Sequence, residues 1–156
     1  MRLETLSPNL EAEPIIIGTV VKGRQLGKKL GFPTANIDGN ISWLNNGVFG
    51  VVVMLNDSFH LGVMNVGVKP TVDANLQKTV EIFILNFHDD IYGEELGFNI
   101  LFKIRDEKRF ASLELLTKQI KEDISYAKKR FKLIGLTSTS KEDDFANKQL
   151  FKSSWS

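Results

Sequence analysis

The chain has 156 residues, 42% of them hydrophobic, enough for one domain with a sizeable core. With 20 basic and 19 acidic side chains the net charge is +1, without the broad positive field of a protein built to sit on nucleic acid or an anionic membrane. Cysteine is absent, which excludes disulfides and thiolate-bound zinc and leaves His60 and His88 as the only nitrogen ligands for a metal.

Residues 1–13 are polar and mixed and read as a leader or linker before Pro14. They hold no signal-peptide core, and no apolar run approaches the roughly 20 residues of a membrane span, so a cytoplasmic protein is expected, and separately a monomer. Short runs rich in Val, Ile and Phe then recur between turn signals, at 15–21, 47–55, 59–67, 79–87 and 96–104. Asn56-Asp57-Ser58 makes a polar turn that favours a hairpin, so neighbouring strands are expected to be antiparallel. Val80, Ile82 and Ile84 alternate with Phe83, Leu85 and Phe87, so both faces of that strand are apolar and one needs a cover outside the sheet.

Residues 112–133 supply the cover. Leu113, Leu116, Ile120, Ile124, Ala127 and Phe131 recur at threes and fours and predict one apolar helical stripe. Ser112 can cap the first turn, Glu114 suits its positive end, and Lys128, Lys129, Arg130 and Lys132 suit the other. The domain is therefore expected over 14–134, followed by a polar tail, 135–156, whose Phe145, Leu150, Phe151 and Trp155 are candidate docking points. Antiparallel strands of this number tend to close and remove their edges, so the predicted fold is a small, mainly β barrel with the C-terminal helix packed outside.

Three stretches stand out chemically. GKKLGFPTAN, 27–36, combines glycines and lysines but fails the Walker pattern, because the Gly23–Gly27 spacing is one residue short and Lys29 stands where Ser or Thr is needed. It reads either as a flexible loop or as a rigid presenter. In the second reading Pro33 stiffens the exit, so that Thr34 and Asn36 offer a hydroxyl and an amide oxygen on one side of an extended segment, donors that suit magnesium. Glu81 is the lone charge in VEIFILNF, either a strand-end residue facing water or a general base beside a hydroxyl substrate. IRDEKRF, 104–110, reads as a solvated connection, and Trp43 and Trp155 as packing residues.

Taken in order, GTVVKGRQLGKKLGFPTANI, GVFGVVV, LGVMNVGVKPT, VEIFILNF, DDIYGEEL and IRDEKRFASLELLTKQIKEDI resemble riboflavin kinase over residues 15–131. The likeness is most specific at GFPTAN and moderate at NVGVKPT and DIYG. It implies a six-stranded antiparallel Greek-key β-barrel that transfers the γ-phosphoryl of ATP to the 5′-hydroxyl of riboflavin, giving FMN and ADP. It further implies Thr34 and Asn36 as magnesium ligands, Gly23, Lys28, Thr34 and Tyr92 at the nucleotide, Glu81 as the base, and Arg105, Lys108 and Phe110 at the flavin. Two positions depart from the family's habit: Lys28 where Arg is common, and Val72 where an aromatic residue often follows Pro-Thr. In many bacteria such a kinase is joined to an adenylyltransferase of more than a hundred further residues, so FMN and not FAD is the expected product of these 156 residues. The competing readings are a flavin-binding barrel without chemistry and an OB-like binder of single-stranded nucleic acid, the latter opposed by the near-neutral charge.

Overall fold

The computed structural model describes residues 15–23 and 26–136. The expected leader 1–13, and the tail positions Phe145, Leu150, Phe151 and Trp155, lie outside the described residues. Among the described residues are six strands, β1 (Ile16–Val21), β2 (Ala35–Gly39), β3 (Gly47–Leu55), β4 (Ser58–Pro70), β5 (Leu76–Ile84) and β6 (Glu95–Arg105). A single-turn helix α1 (Leu26–Lys29) stands between β1 and β2, and the long helix α2 (Leu113–Leu133) follows β6.

Every strand pairing is antiparallel, and the order β1-β2-β5-β4-β3-β6 closes into a barrel. Strands β3, β4 and β5 follow one another as hairpins, and β6 returns to lie beside β3, which is the Greek-key arrangement. At the β3–β4 turn Asn56 and Asp57 take φ of 48° and 63°, the type I′ conformation that matches strand twist and that short polar side chains tolerate. The expected hairpin is therefore present, with Leu55 opposite Ser58. The strand that no apolar run announced is β2, ANIDG, in which Ile37 is the one residue fully buried.

The two apolar faces of the strands fill two separate cores. Inside the barrel lie Val80, Ile82 and Ile84 with Phe49, Val51, Val53, Met64 and Phe98. Outside it, Val48, Val52, Leu61, Val63 and Phe102 meet Ala127, Phe131 and Leu136 of the helical segment. This explains why nearly all of β3 is buried although it is a single strand. Gly50 leaves room for the ring of its cross-strand partner Phe102, from which a β-carbon at position 50 would lie 2.3 Å, and Phe102 in turn packs edge-on against Phe131 of the helix at 5.1 Å. Phe87 departs from the simple alternation: beyond the left-handed Asn86 it turns back against the inner core and meets His60 at 5.0 Å.

Helix α2 begins as its sequence predicts, with the Ser112 side chain accepting from the Leu115 N–H at 3.2 Å. It ends in a Schellman cap: Gly135 takes φ 86°, its N–H donates to the Lys132 carbonyl at 3.0 Å, and Leu136 donates to that of Phe131 at 2.8 Å. The stripe itself is not uniform. Ala127 and Phe131 are buried against the barrel, Leu113 is 56% exposed, and Leu116 and Ile120 line a cavity instead of a packed interface. Trp43 is also exposed rather than packed, its indole N–H donating to the Asn40 carbonyl at 2.8 Å. No helix among the described residues is long and apolar enough to cross a membrane.

Because Phe131 is the largest side chain that α2 buries, its truncation tests how the helix is held. Phe131→Ala is expected to cost about 3–5 kcal/mol in urea unfolding, as for other buried aromatic residues. A loss below about 1 kcal/mol would mean that the helix is fastened elsewhere.

Candidate active site

The connection from β1 to β2 forms one wall of the site. It leaves β1 at Val21, passes Lys22, Gly23 and α1, turns at Gly31 (φ 87°), and reaches β2 through Pro33 and Thr34. Asn36 lies directly over Gly23: a β-carbon at position 23 would stand 2.1 Å from its side-chain nitrogen and 2.3 Å from its oxygen. Only glycine leaves room for that amide.

The DIYG turn forms the opposite wall and is stapled to β1. Val20 donates to the Glu94 carbonyl and Gly93 donates back to the Val20 carbonyl, both at 2.9 Å. Gly93 takes φ 83°, and the Asp90 carboxylate accepts the Tyr92 N–H at 3.0 Å. Tyr92 is thereby set beside Lys22, whose ammonium lies 5.2 Å from the ring centroid. Between the two walls is an open cleft of about 650 Å³ lined by Lys22, Gly23, Lys28, Thr34, Asn36, His88, Asp89, Asp90 and Tyr92, among others.

A second, smaller cavity of about 160 Å³ lies between the outer face of the barrel and the first half of α2. Thr34, Asn65, Glu81, Arg105, Lys108 and Phe110 line it, together with Leu116, Ile120 and Ile124 of α2 and Leu30 and Phe32 of the β1–β2 connection. Phe32 packs edge-on against Phe83 at 5.8 Å. Register explains the polar row on its wall. Glu81 on β5 stands opposite Asn36 of β2 on one side and Asn65 of β4 on the other, so three strands bring a carboxylate and two amides into one row.

Residues 106–109 form the exposed connection that their charges suggest, whereas Arg105, at the end of β6, is half-buried and engaged. The Arg105 guanidinium grips Asp123 of α2 in a fork, Nε donating to Oδ1 at 2.9 Å and Nη2 to Oδ2 at 2.9 Å. Gln119 donates to the same carboxylate at 2.9 Å, and the third Arg105 nitrogen, Nη1, donates to the Asp106 carbonyl at 3.0 Å. Lys103 pairs with Asp106, and this hydrogen-bonded ammonium lowers the Asp106 carboxyl below its ordinary value. Arg105 and Lys108 both lie 5.6 Å from the Phe110 ring centroid.

The residues singled out in the sequence thus fall into two groups that meet. Gly23, Lys28, Thr34, Asn36 and Tyr92 line the larger cleft, and Glu81, Arg105, Lys108 and Phe110 line the smaller, with Thr34 on the wall of both. Sequence reasoning missed Asn65, Lys22 and Asp123, and left His88 without a role although it borders the larger cleft. Strand register against Glu81 would have found Asn65; for Asp123 the signal was a charge on the buried side of the 112–133 stripe. No group of three or more His, Cys, Asp or Glu side chains that could hold a metal occurs among the described residues. Thr34 and Asn36 instead present uncharged oxygens on one wall, a donor set that fits a hard cation arriving with its own phosphate oxygens.

Comparison with known proteins shows which family the chain resembles. Residues 10–131 match the family described as Flavokinase: Riboflavin kinase. The chain is 62% identical over 135 residues to the RNA-binding riboflavin kinase RibR of Bacillus subtilis (strain 168), an alignment covering 86% of this chain and 59% of that protein. It is 40% identical over 124 residues to the bifunctional riboflavin kinase/FMN adenylyltransferase of Buchnera aphidicola subsp. Schizaphis graminum, covering 76% of this chain and 39% of that protein. Among solved structures, riboflavin kinase from Trypanosoma brucei superimposes with a TM-score of 0.55 at 27% identity, covering 76% of this chain and 79% of that one. The chain therefore spans 59% and 39% of the length of these two curated relatives, and within that span it belongs to the riboflavin kinase family.

Proposed function

We propose that the protein phosphorylates riboflavin, moving the γ-phosphoryl group of ATP to the ribityl 5′-hydroxyl and releasing FMN and ADP. One observation carries the reading: the two cavities share Thr34, and Glu81 stands opposite Asn36 in the register that joins them. Two substrates lodged in the two cavities would meet at that seam.

In this reading ATP takes the larger cleft, with its phosphates toward Lys28 and Gly23 and its nucleoside toward Tyr92. The volume of about 650 Å³ falls within the usual range for small-molecule sites. Riboflavin takes the smaller cavity, its ring toward Phe110 and the Leu116–Ile120 face of α2. At about 160 Å³ that cavity is below the usual range of roughly 300–1,000 Å³, so the ring must displace part of the wall, and Leu30 and Phe32 lie on the single-turn side of it.

The chemistry asks little covalent help from the protein. Phosphoryl transfer depends on in-line placement and on neutralising charge at the transferred group. Thr34 and Asn36 would hold magnesium, which when bound neutralises phosphate charge. Lys28 adds a point charge, without the bidentate fork that an arginine would bring. Glu81 orients the 5′-hydroxyl and accepts its proton as the oxygen forms its bond to the γ-phosphorus, while the bond from that phosphorus to the β,γ-bridging oxygen breaks and ADP leaves. RNA binding is named for the Bacillus subtilis relative, of which this chain covers 59%, and the phosphoryl transfer proposed for this chain does not require it. The lack of cysteine favours a cytoplasmic setting.

The direct test is to incubate the protein with riboflavin, ATP and magnesium and to separate the flavins by chromatography. FMN formation dependent on all three is the expected result. Riboflavin binding without FMN would make the protein a non-catalytic flavin-binding barrel.

Glu81→Gln keeps shape and removes the proton acceptor, and single-turnover rates are expected to fall by about 10²–10⁴-fold with the KM for ATP little changed. A rate within about threefold of the parent would remove Glu81 from the mechanism, because a lost general base costs more than that. Gly23→Ala forces the Asn36 amide out of its place, and Asn36→Leu removes its oxygen. Both are expected to raise the magnesium concentration needed for half-maximal rate by about tenfold or more, since each takes one hard donor from the site. An unchanged magnesium titration in both variants would show that Asn36 is not a ligand.

A further inference from the structure

Asp123 is the one charged residue among the described residues that is buried, at 5% exposure, and the proposed reaction gives it no task. Its carboxylate is held from two sides. Gln119, one turn earlier on α2, donates to Oδ1 at 2.9 Å, and Arg105 of β6 donates to both oxygens. Such a pair is a poor way to fasten a helix, because two desolvated charges are often no more stable than two apolar side chains of similar volume. What an apolar pair cannot do is hold a planar cation at a fixed place and angle on a cavity wall.

The described contacts engage three of the five N–H groups of Arg105: one at Nε and one at Nη2 toward Asp123, and one at Nη1 toward the Asp106 carbonyl. The guanidinium lines the smaller cavity beside Phe110, so two donors remain for an acceptor there. We infer that Asp123 is a positioning residue for the flavin, acting through Arg105: the buried carboxylate sets the guanidinium, the guanidinium sets Phe110 and the start of the 106–111 segment, and together they present a donor and an aromatic face to the ring. This rests on the assignment of riboflavin to the smaller cavity. Gln119 serves the same end by fixing the rotation of the carboxylate.

The test uses Asp123→Asn and a double variant, Asp123→Leu with Arg105→Met, each first shown to be folded by circular dichroism at the assay temperature. Riboflavin binding is read by flavin fluorescence without turnover, and the KM for ATP is measured separately. The single variant is expected to melt lower and to bind riboflavin about ten- to a hundredfold more weakly, as misplaced site groups do, while the KM for ATP stays within about twofold. The double variant is expected to regain the parent's melting temperature and still to bind riboflavin weakly. Parent-like riboflavin affinity in either folded variant overturns the inference, since the pair would then be a structural tie only. Equal losses toward riboflavin and ATP overturn it too. A parent protein that does not bind riboflavin overturns the flavin assignment itself and this inference with it, which separates the two failures.

Discussion

Two residue pairs, Ala35 opposite Ile82 and Asn36 opposite Glu81, join β2 to β5 and so close the barrel. Among the described residues no other joint between strands is so short; the β4–β5 ladder, by comparison, runs from Gly62–Ile84 to Pro70–Leu76. The same short seam fixes the site. Closure brings the end of the β1–β2 connection against β5, which sets Thr34 between the two cavities and Asn36 beside Glu81. A barrel left open here would have an unpaired edge and no place where the cavities meet.

The seam also explains which parts of the fold were legible in the sequence. The strands β3 to β6 carry long apolar runs, because each buries one face inside the barrel and several bury the other under α2. Strand β2 has only Ile37 buried and is extended because its neighbours β1 and β5 pair with it, which no local pattern records. The helix was visible from its spacing, but its stripe serves two purposes. Ala127 and Phe131 fasten it to the barrel, while Leu116, Ile120 and Ile124 form the ceiling of a cavity. Periodicity reports an apolar face without saying whether protein or ligand will cover it.

Legibility of the site follows the same division. The resemblance named residues from four separated stretches, and the structure gathers them into two adjoining cavities that no spacing rule could have paired. Asp123 escaped notice because a charge in a helix is ordinarily solvated, and the charge pattern around Arg105 showed only a solvated run, so its place at the flavin came from the resemblance alone. Together they make a point that composition hides. A chain of net charge +1 still gathers ionised groups of both signs where they are used, with Lys22 and Lys28 beside Asp89 and Asp90 on one cleft and Arg105 and Lys108 beside Glu81 and Asp123 on the other cavity.

The central claim is that the two cavities hold two different substrates that meet at Thr34 and Glu81. A crystal structure of the protein with magnesium, ADP and riboflavin together tests it most directly. The account predicts ADP in the cleft of Lys28, Gly23 and Tyr92, the flavin ring against Phe110, and the ribityl 5′-hydroxyl between Thr34 and Glu81 within hydrogen-bond reach of the carboxylate. A flavin bound in the larger cleft, or a 5′-hydroxyl turned away from Glu81 with ADP in place, would contradict it.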